Sequence, residues 1–254
     1  MKNALIRKLE SFEALTDQDH QALTAFVLRV RGVGARVDLV REGDVPEHVH
    51  LILDGYACRY KVLPDGQRQI MAYFVPGDFC DLNVFILDQM DHNIGTLTAC
   101  QVVEISRSAI DEIMTNHPRI TRALLWCALV DEAILREWLV NMGAREANER
   151  IAHFICELYM RLDAVGRVRD SSYAFPFTQT EVADTMGLSN VHVNRVLKDL
   201  RQLGLIRLKQ RVLTILDLDR LKDHCKFNPN YLHLKNARWH DRRSVHWLDQ
   251  SQGA

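Results

Sequence analysis

Apolar and polar positions along this chain change their period twice. From about Val37 to Ser106 they form short β-type runs broken by turn signals, as in "EGDVPEHVHLILDG", "YACRYKVLPDGQRQIMAYFVPGDF" and "GTLTACQVVEIS". Pro64-Asp65-Gly66 and Pro76-Gly77-Asp78 supply turns between such runs, and strands this short and evenly spaced predict a small antiparallel barrel or jelly roll. Asn116-His117-Pro118 then suits a helix start. Beyond it, Ile120, Leu124, Cys127, Val130, Ile134 and Trp138 keep the 3/4 spacing of a coiled-coil seam. Leu125, Leu129, Leu135 and Leu139 form a second apolar stripe. A helix apolar on two sides needs two partners, its own barrel and a second copy of itself. Asn141-Met142-Gly143 is expected to end this helix and act as a hinge. "REANERIAHFICELYMRL" predicts a further helix, and "VGRVRDSSYAFPF" is polar and turn-rich. From about Lys226 no period is visible, so an extended or partly disordered tail is expected.

The last periodic segment, "FTQTEVADTMGLSNVHVNRVLKDLRQLGLIRLKQRVLTIL" (177–216), carries the candidate chemistry. Thr178 with Glu181 three residues on makes a capping box. The helix it opens turns Val182, Ala183 and Met186 inward and stops at Gly187. Ser189 caps a second helix whose inward residues are Val193, Val196, Leu197 and Leu200. Two short helices joined by a turn containing glycine are a helix-turn-helix pattern, whose second helix presents its first turns to base edges in the major groove. The base-reading candidates are therefore Asn190, Val191, His192, Asn194 and Arg195, because Arg can grip guanine and Asn adenine bidentately. Thr178, Gln179, Thr180, Ser189 and Lys198 suit phosphate contacts. "LIRLKQRVLTIL" alternates apolar and basic residues, as a hairpin wing with Lys209 and Arg211 on the DNA backbone would. Residues 187–214 hold six Lys/Arg and one acid.

Composition sharpens this division. The net charge of −1 hides an acidic front, −6 over residues 1–141, and a basic back, +5 over residues 142–254. The back thus faces a polyanion. No run of about 18 uncharged apolar residues is present, so no membrane span or membrane partner is expected. The first 20 residues lack the features of a signal peptide, and a cytoplasmic protein is the expectation. Six scattered cysteines without a C-x-x-C pair argue against a disulfide framework and against closely spaced zinc or iron–sulfur ligands.

"REGDVPEHVHLILDGYACRYKVLPDGQRQIMAYFVPGDF", "TACQVVEIS", "NERIAHFI" and the helix-turn-helix with its wing occur in one order. Together they make the chain resemble the cyclic AMP receptor/fumarate-nitrate reduction regulator (CRP/FNR) family of bacterial transcription factors over roughly residues 12–220. The resemblance implies an α+β chain with four parts. They are a jelly-roll sensor of the cyclic-nucleotide-binding type (12–112), a dimerisation helix (113–141), a winged helix-turn-helix domain (142–222) and a tail (223–254). It also implies a homodimer on an inverted repeat of double-stranded DNA, RNA polymerase as a partner, and a small-molecule or redox signal.

The chain departs from that family at both ends. Nucleotide-binding members carry Gly-Glu-Leu after the "PGDF" turn and an Arg further on. Here Phe79-Cys80-Asp81-Leu82, the candidate effector pocket, replaces the first, and "DQMDHNIGTLTA" has no Arg for the second. Cyclic AMP is therefore not the expected ligand. No cysteine precedes Cys58, so the oxygen-sensing branch's iron–sulfur cluster is not expected either, while haem stays open. Val191 stands where most members carry Glu, so the usual TGA-type half-site is not expected. His48 and His50, with Asp54 four residues on, resemble the first metal motif of cupins. Three functions follow: a signal-responsive dimeric transcription factor, a constitutive one with a degenerate barrel, or a cupin-like metalloenzyme carrying an appended module.

Overall fold

The computed structural model describes residues 3–27, 29–82, 86 and 89–234. Two helices that the sequence pattern did not announce come first, α1 (Ala4–Glu10) and α2 (Asp17–Phe26). The predicted jelly roll follows as β1 (Val30–Val33), β2 (Asp38–Val40), β3 (His48–Asp54), β4 (Ala57–Val62), β5 (Arg68–Phe74), β6 (Asn93–Thr96) and β7 (Cys100–Ser106). The strands form two antiparallel sheets, ordered β1-β7-β3 and β2-β6-β4-β5. The core they help to form includes Val49, Leu51, Ile70, Ile94 and Val102. The "PDG" signal is the β4–β5 hairpin, with Gly66 at φ 84°.

Helices α3 (Arg107–Asn116) and α4 (Pro118–Ala144) lead out of the barrel. At about 1.5 Å per residue, α4 runs some 40 Å, with Pro118 in its first turn. Asn141-Met142-Gly143 does not end it, contrary to the sequence expectation. Asn141 is buried and held by Arg145 Nη1 (2.8 Å) and by the His153 ring (3.1 Å), which keeps the chain helical to Ala144. The corner falls at Arg145 and Glu146, where Glu146 and Glu149 form a capping box for α5 (Ala147–Ala164).

The seam expected along Ile120, Leu124, Cys127, Val130, Ile134 and Trp138 is corrected by the structure. These residues are 0–7% exposed within the single chain, whereas Leu125, Leu129, Leu135 and Leu139 are 45–67% exposed. The reason lies in two pieces of chain with no clear periodic signal. Phe12, just beyond α1, stacks on Trp126 at 5.1 Å. A short 3-10 helix at Pro229–Leu232, within the expected tail, packs on α4 with Tyr231 and Leu232 buried. Residues 226–234 are thus folded, and the rest of the tail, 235–254, lies outside the described residues.

The parts meet at a buried charge. Asp78, in the Pro76-Gly77-Asp78 turn, accepts from Lys8 Nζ of α1 at 2.6 Å and from Arg161 Nη2 of α5 at 2.7 Å. It also accepts from its own turn at Val75 N. A Cβ at Gly77 (φ 95°) would stand 2.8 Å from the Ala4 carbonyl, so only glycine lets α1 come this close. Burial alone would raise the Asp78 carboxyl, but Lys8 and Arg161 hold it below the usual range and keep it ionised. Removing its charge takes the carboxylate from Lys8 and leaves Arg161 with Glu157 alone, both in largely buried surroundings. Asp78→Asn should therefore cost about 3 kcal/mol in urea unfolding; a loss below ~1 kcal/mol would show that the network is not needed.

Candidate nucleic-acid interface

The DNA-reading candidates sit on a compact module of α6 (Gln179–Met186), α7 (Asn190–Gln202) and a three-stranded sheet. The sheet comprises β8 (Ser172–Ala174), β9 (Ile206–Lys209) and β10 (Val212–Ile215), in the order β8-β10-β9. The local signals act as expected. Thr178 and Glu181 cap α6 reciprocally, Gly187 closes it at φ 60° in the left-handed region, and Ser189 Oγ accepts from His192 N. Each such cap contributes about 1 kcal/mol. Behind this module, α8 (Leu218–Cys225) packs on α5.

Val193, Val196, Leu197 and Leu200 are buried, which fixes the rotation of α7. Its outward face carries Val191, Asn194, Arg195 and Lys198. His192 is half-buried, and Asn190, though exposed, donates its side-chain amide to Thr180 Oγ1 at 3.2 Å. Asn190 and Thr180 thus tie the two helices together. Gln179, Thr180, Ser189, Lys209 and Arg211 are exposed and Thr178 is half-buried; Thr178 and Thr180 also line a cleft of about 530 Å3 between α6 and the barrel. The wing turns at Gln210 and Arg211, with φ of 50° and 60°. Two non-glycine residues in that region cost about 1 kcal/mol each, and they make the tight reversal whose twist suits a hairpin.

The barrel grips this module directly. Arg68 pairs with Asp184 at 2.8 Å, and the Tyr73 hydroxyl lies 2.8 Å from Thr185 Oγ1. The Tyr73 ring enters an aromatic cluster against Phe154 and Phe177, at 4.8 and 4.7 Å. At the corner of α4 and α5 the Asn141 amide donates to His153 Nδ1, so the ring proton sits on Nε2, 3.3 Å from Glu137 Oε1. An imidazolium has no lone pair to accept that amide hydrogen.

The candidate effector residues Phe79, Cys80, Asp81 and Leu82 line none of the cavities described among the described residues. Phe79, Cys80 and Asp81 are buried and Leu82 is half-buried. The segment adds to β3 through Cys80 N to His50 O at 2.8 Å. Asp81 accepts from His50 N and lies 2.9 Å from its Nδ1, which also engages one member of the His48/His50 pair. A cavity of about 290 Å3 lies instead between β4, β5 and α4, with Arg59, Met71, Phe74, His92, Asp131 and Arg161 in its wall. Arg59 crosses it, donating to Cys80 O at 2.9 Å and to His92 Nε2 at 3.1 Å, with its guanidinium 5.2 Å from the Phe74 ring centre. Nothing in the sequence flagged Arg59, because its neighbours come from distant strands. All six cysteines are buried, and burial pushes the Cys58 and Cys127 thiols up to about 12, away from the reactive thiolate.

Jelly-roll barrel, long helix and winged helix-turn-helix together have the architecture of a DNA-binding transcription regulator. Comparison with known proteins agrees. Residues 33–117 match the cyclic nucleotide-binding domain and residues 149–224 the Crp-like helix-turn-helix domain. The nitrogen fixation regulation protein FixK of Bradyrhizobium diazoefficiens is 28% identical over 71% of this chain and 75% of its own. The transcriptional activator protein FnrL of Cereibacter sphaeroides is 26% identical over 82% and 85%. Among solved structures, FixK2 of Bradyrhizobium japonicum superposes with a TM-score of 0.69 at 22% identity, covering 77% of this chain and 96% of that one. The chain belongs to the CRP/FNR family of DNA-binding transcription regulators. The metalloenzyme reading is thereby set aside. No helix among the described residues is long and apolar enough to cross a membrane.

Burial first, then Arg145, lowers the His153 pKa to about 3, whereas an unfolded histidine titrates near 6.5. Between those values the unfolded chain holds the extra proton, so stability falls as pH drops from about 6.5 towards 3, by up to ~1.4 kcal/mol per unit. Urea midpoints from pH 7 to 4.5 should fall less steeply for His153→Gln than for the parent; parallel slopes would mean that His153 is already protonated or not buried.

Proposed function

We propose that this regulator works in the cytoplasm as a homodimer and reads an inverted repeat in double-stranded DNA. In this reading α7 enters the major groove, with Val191, His192, Asn194 and Arg195 towards the bases and Asn190 at the edge of the contact. Gln179, Ser189, Lys198, Lys209 and Arg211 hold phosphates, with Thr178 and Thr180 serving the cap and the helix tie beside them. The observation that carries the reading is the exposed polar and basic face of α7 above a fully packed inner face. RNA polymerase and a signal complete the set of partners. The cavity between the barrel and α4 is the effector site in this reading, and the buried, high-pKa thiols favour a small molecule over direct thiol oxidation.

The dimer contact runs along Leu125, Leu129, Leu135 and Leu139, an apolar stripe at near-heptad spacing with no cover in the single chain. Leu129→Glu should yield monomers by light scattering with an unchanged circular dichroism spectrum. A dimer that persists in both Leu129→Glu and Leu139→Glu would refute the stripe.

Arg195→Ala should lower affinity for the selected operator by about 1–3 kcal/mol and leave random DNA nearly untouched. Lys209→Ala should weaken both alike and flatten the salt dependence. Fluorescence anisotropy at several salt concentrations separates the two effects, and equal losses on both DNAs for Arg195→Ala would rule out base reading.

A further inference from the structure

On the outward face of α7 one residue does not fit a purely polar reader. Val191, in the first turn, is 80% exposed. It begins the row Val191, Asn194, Arg195 and Lys198, spaced three, four and seven residues along one face, directly opposite the buried Val193, Val196, Leu197 and Leu200. Its side chain contributes nothing to the core. Nor does it extend an apolar surface, because the exposed residues around it are Asn190, Asn194 and Arg195, which gives a protein partner no apolar patch to cover.

A base edge in the major groove offers one apolar group, the C5-methyl of thymine. We propose that Val191 is a specificity-determining residue that packs on a thymine C5-methyl in each half-site, selecting a T·A pair there while Arg195 hydrogen-bonds a neighbouring base. Valine suits the role for two physical reasons. Its branched Cβ is nearly fixed in one rotamer on a helix, so little freedom is lost on contact. It also has no donor or acceptor, so a cytosine there would bury its N4 amino group against methyl groups without a partner. The short side chain requires the first turn of α7 to lie close to the base edge. The exposure of Ser189 and the short side chain at position 191 allow that approach.

The inference rests on the DNA reading above, and one experiment tests the two separately. Full-length protein selects its operator from a random duplex pool. Each thymine of a half-site is then replaced by deoxyuridine, which removes only the methyl group. Binding should fall by about fourfold per half-site at one position and its symmetry mate. Val191→Ala should bind the thymine and uracil forms of that position equally, while Arg195→Ala should keep the difference. A selected operator with no methyl dependence at any thymine would overturn the role of Val191 and leave the DNA reading intact. The same holds for a dependence that survives in Val191→Ala. Failure to enrich any sequence would overturn both. Because Val191 is outside the core, circular dichroism of the variant should match the parent and exclude a folding defect.

Discussion

Asp78 is the charge on which the arrangement of this molecule depends. A carboxylate buried at a turn is tolerable only when its partners are buried with it, and its partners come from far away on either side of it in the sequence, Lys8 on α1 and Arg161 on α5. Arg161 also pairs with Glu157, which in turn accepts from Trp138 Nε1 and the Tyr231 hydroxyl. One connected set of polar groups thus joins the N-terminal helix, the barrel turn, the long helix, the DNA-binding module and the 3-10 helix near the end. A network of this kind adds little net stability against an apolar replacement. Its effect is on specificity, since each member is costly unless all the others are in place.

The dependence explains which parts of the fold were legible in the sequence. The helix-turn-helix could be read residue by residue, because capping box, turn glycine and inward stripe are local and lie within 24 residues of one another (178–201). The barrel was readable for the same reason, through the Pro64-Asp65-Gly66 and Pro76-Gly77-Asp78 turns. The role of Asp78 was not, because Lys8 and Arg161 lie 70 and 83 residues away. No periodicity carries such a pairing.

The long helix shows the same limit more sharply. Its two apolar stripes were both visible, but which of them faces inward depends on what covers it. Phe12 and the Pro229–Leu232 helix cover the stripe with Trp126 and Trp138, and neither piece has a periodic signature. The stripe expected at the seam is therefore the covered one in the single chain, and the second stripe is the exposed one. The candidate effector residues show a related limit. Asp81 accepts from His50 N, and Arg59 of β4, whose partners lie far away in the sequence, stands in the wall of a cavity among the described residues.

This geometry also constrains how a signal could reach the DNA. Tyr73 and Arg161 both stand in the wall of the cavity and at the junction with the DNA-binding module: Tyr73 touches Thr185 of α6, and Arg161 Nη2 donates to the Tyr73 carbonyl at 2.7 Å. α4 forms another wall of the same cavity through Asp131 and Ile134, and its outer face carries the exposed leucine stripe. A ligand acts on an equilibrium only through contacts that differ between its states. Here the groups available for such contacts are the ones that set both the pose of α6 against the barrel and the position of α4. This cavity, the exposed leucine stripe of α4 and the helix-turn-helix are therefore separated by one layer of side chains, with no long relay through the core between them.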